Sequence, residues 1–221
     1  MLKLLIGTRN ESKLTLMKDY LADLPVMCVS PADMHIETSP AENRKTALEN
    51  AVFKARSWFE LTGLPVVAED SGLVFLDLPD DHPDQPGVMV RRRGSHVMND
   101  DEMLAWYQRI IEKHGGQLSA AWEDAWCIYA GTDCCYTYTY SRETLRQHAR
   151  LLLSPPCQAR VPGWPLDSLT YFPQAGKYKA EMSMEEMLTA GDARQGAKDE
   201  RNQLVNWLRQ TVADIAKRTE E

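Results

Sequence analysis

Positive charge, long apolar runs and paired metal ligands are all in short supply in this chain. Its 25 Lys and Arg against 32 Asp and Glu give a formal charge of −7. That balance argues against a general nucleic-acid binder, because phosphate backbones reward basic surfaces. No apolar stretch approaches a membrane span, and the opening run Met1–Gly7 is too short for a signal peptide, so a cytoplasmic protein with no membrane partner is expected. The five cysteines (Cys28, Cys127, Cys134, Cys135, Cys157) are odd in number and contain no C-x-x-C pair. They read as reduced thiols. His35, His82, His96, His114 and His148 have no metal-ligand spacing and read as surface or satisfied core residues. No internal repeat or low-complexity segment is visible. What remains is 221 residues, enough for one large α/β unit or two small lobes with a sizeable core.

The richest signal is at the start. Leu2, Leu4, Leu5 and Ile6 form an apolar run ending at Gly7, and Leu14, Met17, Leu21 and Leu24 follow at helical spacing. Between them lie Thr8, Arg9, Asn10 and Lys13, with Asn10 placed to cap the helix. A helix N-terminus offers unpaired N–H groups and partial positive charge, and these side chains add donors that suit phosphate oxygens. No second glycine precedes Lys13, so this is not a Walker P-loop. The same residues also suit a plain capped helix with Arg9 and Lys13 in solvent.

A second cluster is acidic. Leu64–Ala68 reads as a short buried strand ending in Glu69, Asp70, Ser71 and Gly72. Upstream, Glu42 and Glu49 flank Thr46, and Val52, Ala55 and Phe59 mark one face of a helix. Carboxylates beside a polyphosphate turn are what a hard divalent cation such as magnesium takes, and the metal relieves their repulsion of the ligand. Glu42 and Glu49 also suit solvated positions near a helix N-terminus, where the macrodipole favours acids.

In order along the chain stand Thr8-x-Asn10-x-x-Lys13, Glu42-x-x-x-Thr46-x-x-Glu49-Asn50-Ala51-x-x-Lys54-Ala55, Glu69-Asp70-Ser71-Gly72-Leu73 and Pro86-Gly87-Val88. Gly163-Trp164-Pro165-Leu166-Asp167 and Ala180–Glu186 continue the series. This pattern resembles the inosine triphosphate pyrophosphatase family, also called Ham1, over nearly the whole chain except a poorly matching middle from Gly115 to Arg160. The resemblance implies Mg²⁺-dependent cleavage of a nucleoside triphosphate between its α- and β-phosphates, giving monophosphate and pyrophosphate. Its usual substrates are deaminated purine nucleotides. Carried across, Thr8, Asn10 and Lys13 would hold the triphosphate with Arg9 beside them, Glu42 and Asp70 would bind the metal, Asp70 would activate water, and Ser71 would contact the nucleotide. Glu49 and Glu69 would support the site. Phosphoryl-type displacement is mostly positioning and charge neutralisation, which agrees with that set.

The departures concern the base. Where the family has Gly-Phe-Gly-Tyr-Asp-Pro, this chain has Gly163, Trp164, Pro165, Leu166, Asp167 and Ser168. Trp164 keeps a stacking face, worth roughly 1–3 kcal/mol per base, although a core tryptophan is the alternative. Asp167 is counted with the substrate-binding residues. Met187 stands where the family has a Lys, and Asp192, Ala193 and Arg194 stand for Ser-His-Arg. Only Arg194 survives of those purine readers, and Asp192 adds an acceptor that suits an amino edge. Three readings follow: a diphosphatase for deaminated purines, the same chemistry on another base, or a silent nucleotide-binding sensor.

The fold expected is α/β, a single domain over 1–221 with an elongated mixed central sheet flanked by helices, and two lobes with a nucleotide cleft between them. A strand is read at Leu73–Leu78 and a breaker loop at Pro79–Pro86. Arg91, Arg92 and Arg93 follow; Arg92 is the residue that would touch phosphate or a dimer partner, and a homodimer is expected from the resemblance. Asn99–Glu112 presents Met103, Leu104, Tyr107, Ile110 and Ile111 on one helical face. Trp126–Ala130 and Cys134–Tyr140 read as strands. Arg142, Arg146, His148 and Arg150 fall on a possible short helix, and Leu204, Val205, Leu208, Val212 and Ile215 on a closing one.

Overall fold

A computed structural model describes residues 1–187 and 195–220. Asp192, Ala193 and Arg194 lie outside them. The chain divides into two compact units, Met1–Ser71 with Glu123–Tyr140 and Asp199–Glu221, and Gly72–Trp122 with Ser141–Lys198. Among the described residues most strands belong to one mixed sheet.

In the first unit, β1 (Leu2–Ile6) pairs in parallel with β2 (Val26–Val29) and β3 (Val66–Phe75). Helix α1 (Glu11–Leu21) follows β1, and the Asn10 carbonyl oxygen of the side chain accepts from Lys13 N–H, closing the helix start. Met17 and Leu21 of α1 pack with Leu2, Leu4 and Ile6, with Val67, and with Leu204, Leu208, Val212 and Ile215 of the closing helix α5 (Gln195–Glu220). Helix α2 (Ala47–Thr62) is fixed at both ends: Thr46 and Glu49 form a reciprocal capping box, and Gly63, at φ 68°, donates to Phe59 O. Its buried face is Ala47, Asn50, Ala51, Lys54, Ala55 and Trp58 rather than the expected Val52, Ala55 and Phe59. The stripe is rotated because two polar residues, Asn50 and Lys54, are turned inward. Gly7 leaves room for Trp58, since a Cβ there would lie 2.8 Å from its ring.

In the second unit, β8 (Arg150–Leu153) runs antiparallel to the first half of β6 (Gln117–Tyr129) and to β9 (Thr170–Phe172), which pairs with β10 (Lys177–Tyr178). Back in the first unit, the second half of β6 pairs with β7 (Cys135–Thr139). Helix α3 (Asp100–Lys113) starts on an Asn99–Glu102 capping box and buries Met103, Leu104, Tyr107, Ile110 and Ile111, the face expected from its spacing. A short hairpin joins β4 (Arg92–Arg93) to β5 (His96–Val97), and α4 (Arg142–Gln147) precedes β8. His148 caps α4, and Arg150 belongs to β8.

The two strands read at Leu64–Ala68 and Leu73–Leu78 are one, β3, which carries Glu69, Asp70, Ser71 and Gly72 in its middle. Polar residues continue a strand when each finds a partner, and these do. Gly72 explains the rest. A Cβ there would stand 2.9 Å from Gly87 O, because Leu73 N–H donates to that carbonyl at 2.9 Å and draws the Pro86–Val88 segment across the strand. A glycine inside a strand marks such a close approach of backbones. Gln85 secures the same loop by exchanging hydrogen bonds with Phe75 N–H and O, both at 2.8 Å. Gly72→Ala should therefore destabilise the chain by about 1–3 kcal/mol, the range for overpacking against atoms that cannot yield. Urea denaturation should show a lower midpoint at constant slope; an unchanged midpoint contradicts the packing argument.

Candidate active site

The period-two alternation of β3 distributes the acidic segment. Glu69 and Ser71 share one face with Val67, and Asp70 takes the other with Ala68. Lys13 of α1 meets the first pair: its Nζ lies 2.5 Å from Glu69 Oε2 and donates to Ser71 Oγ at 3.3 Å. Ser71 Oγ in turn donates to Glu69 Oε1 at 3.1 Å. Asp70 meets α2 instead. Asn50 Nδ2 donates to Asp70 Oδ2 at 2.8 Å, and the Asn50 amide is oriented by Arg44 N–H, which donates to its Oδ1 at 3.0 Å.

Lys54 joins these parts. Its ammonium donates to Glu42 Oε1 at 2.8 Å, to the Glu69 carbonyl at 2.9 Å and to Asp70 Oδ1 at 3.4 Å. Three N–H donors find three acceptors, which is the condition for keeping an ammonium inside a fold. Burial works against the Lys54 charge, but the Glu42 hydrogen bond and the Glu42, Asp70 and Glu69 charges outweigh it and hold the ammonium above its ordinary pKa. Burial pushes the Asp70 carboxyl up, while Lys54 and Asn50 pull it back only in part. A carboxyl raised by desolvation and held by fixed donors is the kind of group found at functional sites.

The remaining residues singled out in the sequence have these positions. Thr8 is buried, and its Oγ1 accepts from Asn10 N–H. Arg9 donates to the Glu37 carbonyl. Glu49 spends its carboxylate on the Lys45 and Thr46 N–H groups, at 3.0 and 3.2 Å, as the reciprocal half of the α2 cap. Arg92 is exposed on β4, whereas its neighbour Arg91 pairs with Asp100 at 2.6 Å and donates to Gly163 O at 3.1 Å. Asp100 also accepts from Gly163 N–H at 2.6 Å, so Arg91 and Asp100 together clamp the segment that presents Trp164.

That segment borders a cavity of about 250 Å³ within the second unit, lined by Trp122, Trp164, Leu73, Met103, Leu152 and Thr170 with Arg91, Arg150, Lys179 and Asp167. Trp164 is 63% exposed, which rules out a core role. Asp167 pairs with Lys179 at 2.9 Å, and the Lys179 ammonium lies 5.8 Å from the centre of the Trp164 ring. Two open aromatic faces with three cations and one acid suit a flat polar ring attached to anionic groups.

Sequence reasoning gave no role to Asn50, Lys54, Arg91 or Lys179. For Asn50 and Lys54 the signal was present: an amide and an ammonium four residues apart interrupt the small-residue stripe of Ala47, Ala51 and Ala55. Arg91 and Lys179 carry no such mark.

The Ham1 family profile matches residues 4–190. The chain belongs to the Ham1 family. Over 185 residues this Ham1 chain is 30% identical to the dITP/XTP pyrophosphatase of Thermus thermophilus, covering 84% of this chain and 83% of that one. The protein of the same name from Yersinia pseudotuberculosis is 29% identical over 197 residues, with coverage of 84% and 89%. A match to its namesake from Leptospira interrogans is 34% identical over 99 residues and takes in 45% of this chain and 48%, about half, of that protein. A HAM1 protein from Coxiella burnetii shares the fold, with a TM-score of 0.67 at 22% identity over 95% of this chain and 100% of that one.

The shared role of Lys54 gives a direct test. Lys54→Met leaves Glu42 and Asp70 facing each other without their common cation and should cost roughly 3 kcal/mol, the low end for breaking a buried pair because Glu42 is half exposed. Adding Asp70→Asn should recover part of that loss, a coupling of about 1–3 kcal/mol in a double-mutant cycle. Strict additivity would mean that the two groups do not act together.

Proposed function

We propose that this protein is a Mg²⁺-dependent nucleoside-triphosphate diphosphatase, NTP + H₂O → NMP + pyrophosphate, acting on deaminated purine nucleotides. The observation that carries this reading is the convergence of the Glu42 and Asp70 carboxylates on one ammonium, beside Lys13 and the N-terminus of α1. The donors are oxygens, and carboxylates already drawn toward one positive charge fit a hard divalent cation. Glu42 and Asp70 would hold Mg²⁺. When bound, the ion neutralises phosphate charge and polarises the phosphoryl oxygens.

The charges support the same reading. Glu42, Glu69 and Asp70 outnumber Lys13 and Lys54, so the cluster alone carries a net negative charge that would repel a polyphosphate. A divalent ion reverses that sign. Lys13 then serves the phosphates, Lys54 and Asn50 fix the Asp70 carboxylate, and Asp70, raised by burial, orients and deprotonates the attacking water. In the second unit, Trp164 is the candidate base-stacking surface, with Lys179 and Asp167 beside it. The names of the Thermus and Yersinia relatives support dITP and XTP as substrates. Homodimerisation and a cytoplasmic location belong to the same proposal and rest on the resemblance and the composition.

A second reading keeps the chemistry and changes the base. It is favoured by Met187, a half-buried thioether at the position where the family carries a Lys. Losing a donor for the 6-oxo group lowers discrimination in favour of deaminated purines. One panel decides both questions. Purine and pyrimidine triphosphates, including dITP and XTP, are incubated with Mg²⁺, and pyrophosphate and orthophosphate release are scored separately. Pyrophosphate with a preference for dITP or XTP is expected, and Asp70→Asn should lower the rate by about 10²–10⁴-fold, as for loss of a general base. Orthophosphate with nucleoside diphosphate would overturn the reaction, while pyrophosphate released fastest from an ordinary nucleotide would establish the second reading.

A further inference from the structure

His82 and His114 have no metal-ligand spacing along the sequence, yet the fold gathers them with Asp84. His82 and Asp84 lie in the Pro79–Pro86 loop, and His114 is the residue that ends α3. One ring nitrogen of each histidine and a carboxylate oxygen of Asp84 all fall within 4.8 Å of one another. His114 Nε2 is 2.8 Å and His82 Nδ1 is 3.9 Å from Asp84 Oδ2. The two imidazoles meet edge to face with ring centres 5.2 Å apart.

We propose that His82, Asp84 and His114 form a transition-metal site that takes a zinc-class divalent cation and fastens the Pro79–Pro86 loop to the end of α3. Tetrahedral zinc with ligands at 2.0–2.2 Å needs its donors about 3.3–3.6 Å apart, and the separations of 2.8 and 3.9 Å bracket that value. Two imidazoles and one carboxylate select zinc over magnesium, which prefers an all-oxygen shell, so this site and the Glu42–Asp70 cluster want different ions. Three protein ligands leave a fourth position for water. All three side chains are partly accessible, at 25%, 14% and 18% in sequence order, which leaves an entry path.

Three present contacts must give way. The His114 Nε2–Asp84 Oδ2 hydrogen bond, at 2.8 Å, loses its proton to solvent as both atoms turn to the metal. Lys113 Nζ lies 2.6 Å from Asp84 Oδ2, but that side chain is 61% exposed and can swing into water when a metal replaces its charge. Asp84 N–H donates to His82 Nδ1 at 3.1 Å, and a metal at that nitrogen takes over the same electron pair. The consequence for the fold is specific. The loop leads through Gln85 into Gly87, whose carbonyl pins Leu73, so a metal here stiffens the segment that crosses β3 at Gly72.

The test titrates the full chain with Zn²⁺ in a buffer holding excess Mg²⁺, using calorimetry, and with Co²⁺, using ligand-field absorption. A single Zn²⁺ per chain and a tetrahedral Co²⁺ spectrum are expected. His114→Gln and, separately, the loop variant His82→Ala should bind at least about a hundredfold more weakly, since changes outside the ligand shell already cost about 10–100-fold. Circular dichroism verifies that each variant is folded. Two results overturn the site: no zinc uptake by the folded chain, or uptake that survives both histidine variants and disappears in Cys135→Ser.

Discussion

A single buried ammonium organises the first unit of this molecule. Lys54 cannot sit inside the first unit unless every one of its donors is matched, and the three acceptors it finds come from the loop before α2, from the backbone of β3 and from the Asp70 side chain. Removing it would leave buried negative charge, so the position of Glu42, the register of β3 and the face that α2 turns inward are all tied to one residue. The small side chains of Ala47, Ala51 and Ala55 share that buried face with Asn50 and Lys54.

Much of this was legible in the sequence where periodicity and caps speak clearly. The run Leu2–Ile6, the cap at Asn10 and the apolar stripe of α3 fell where they were expected, since each rests on local signals. The face of α2 was misjudged because Val52 and Phe59 are more apolar than Asn50 and Lys54, and hydrophobicity alone cannot see a polar side chain matched inside the fold. Strand β3 was divided because three polar residues and a glycine resemble a turn. The partner that makes Gly72 necessary is Gly87, fifteen positions away by number, and the contact is a property of the fold. The histidines escaped for a related reason, as His82 and His114 meet only when the loop folds onto the end of α3.

The two units present contrasting chemistry. The first gathers carboxylates and ammonium groups whose arrangement suits a metal and a polyphosphate. The second encloses a cavity whose walls are mainly aromatic and aliphatic, with cations at Arg91, Arg150 and Lys179. Arg91 is tied to Asp100 and Gly163, and Lys179 to Asp167, so both cations are fixed in direction. Fixed donors discriminate between hydrogen-bonding edges better than mobile ones, because little ordering entropy remains to be lost on binding. The proposed function assigns substrate choice to the second unit and chemistry to the first.

The central claim is that Glu42 and Asp70 act as one cation-binding pair held ready by Lys54. Mn²⁺ binding, followed by electron paramagnetic resonance in the absence of nucleotide, tests it most directly, because Mn²⁺ shares the oxygen preference of Mg²⁺. The account predicts measurable binding by the intact chain and loss of at least about tenfold in affinity in both Glu42→Gln and Asp70→Asn, with each variant folded. Equal Mn²⁺ affinity in the intact chain and in both variants would contradict it.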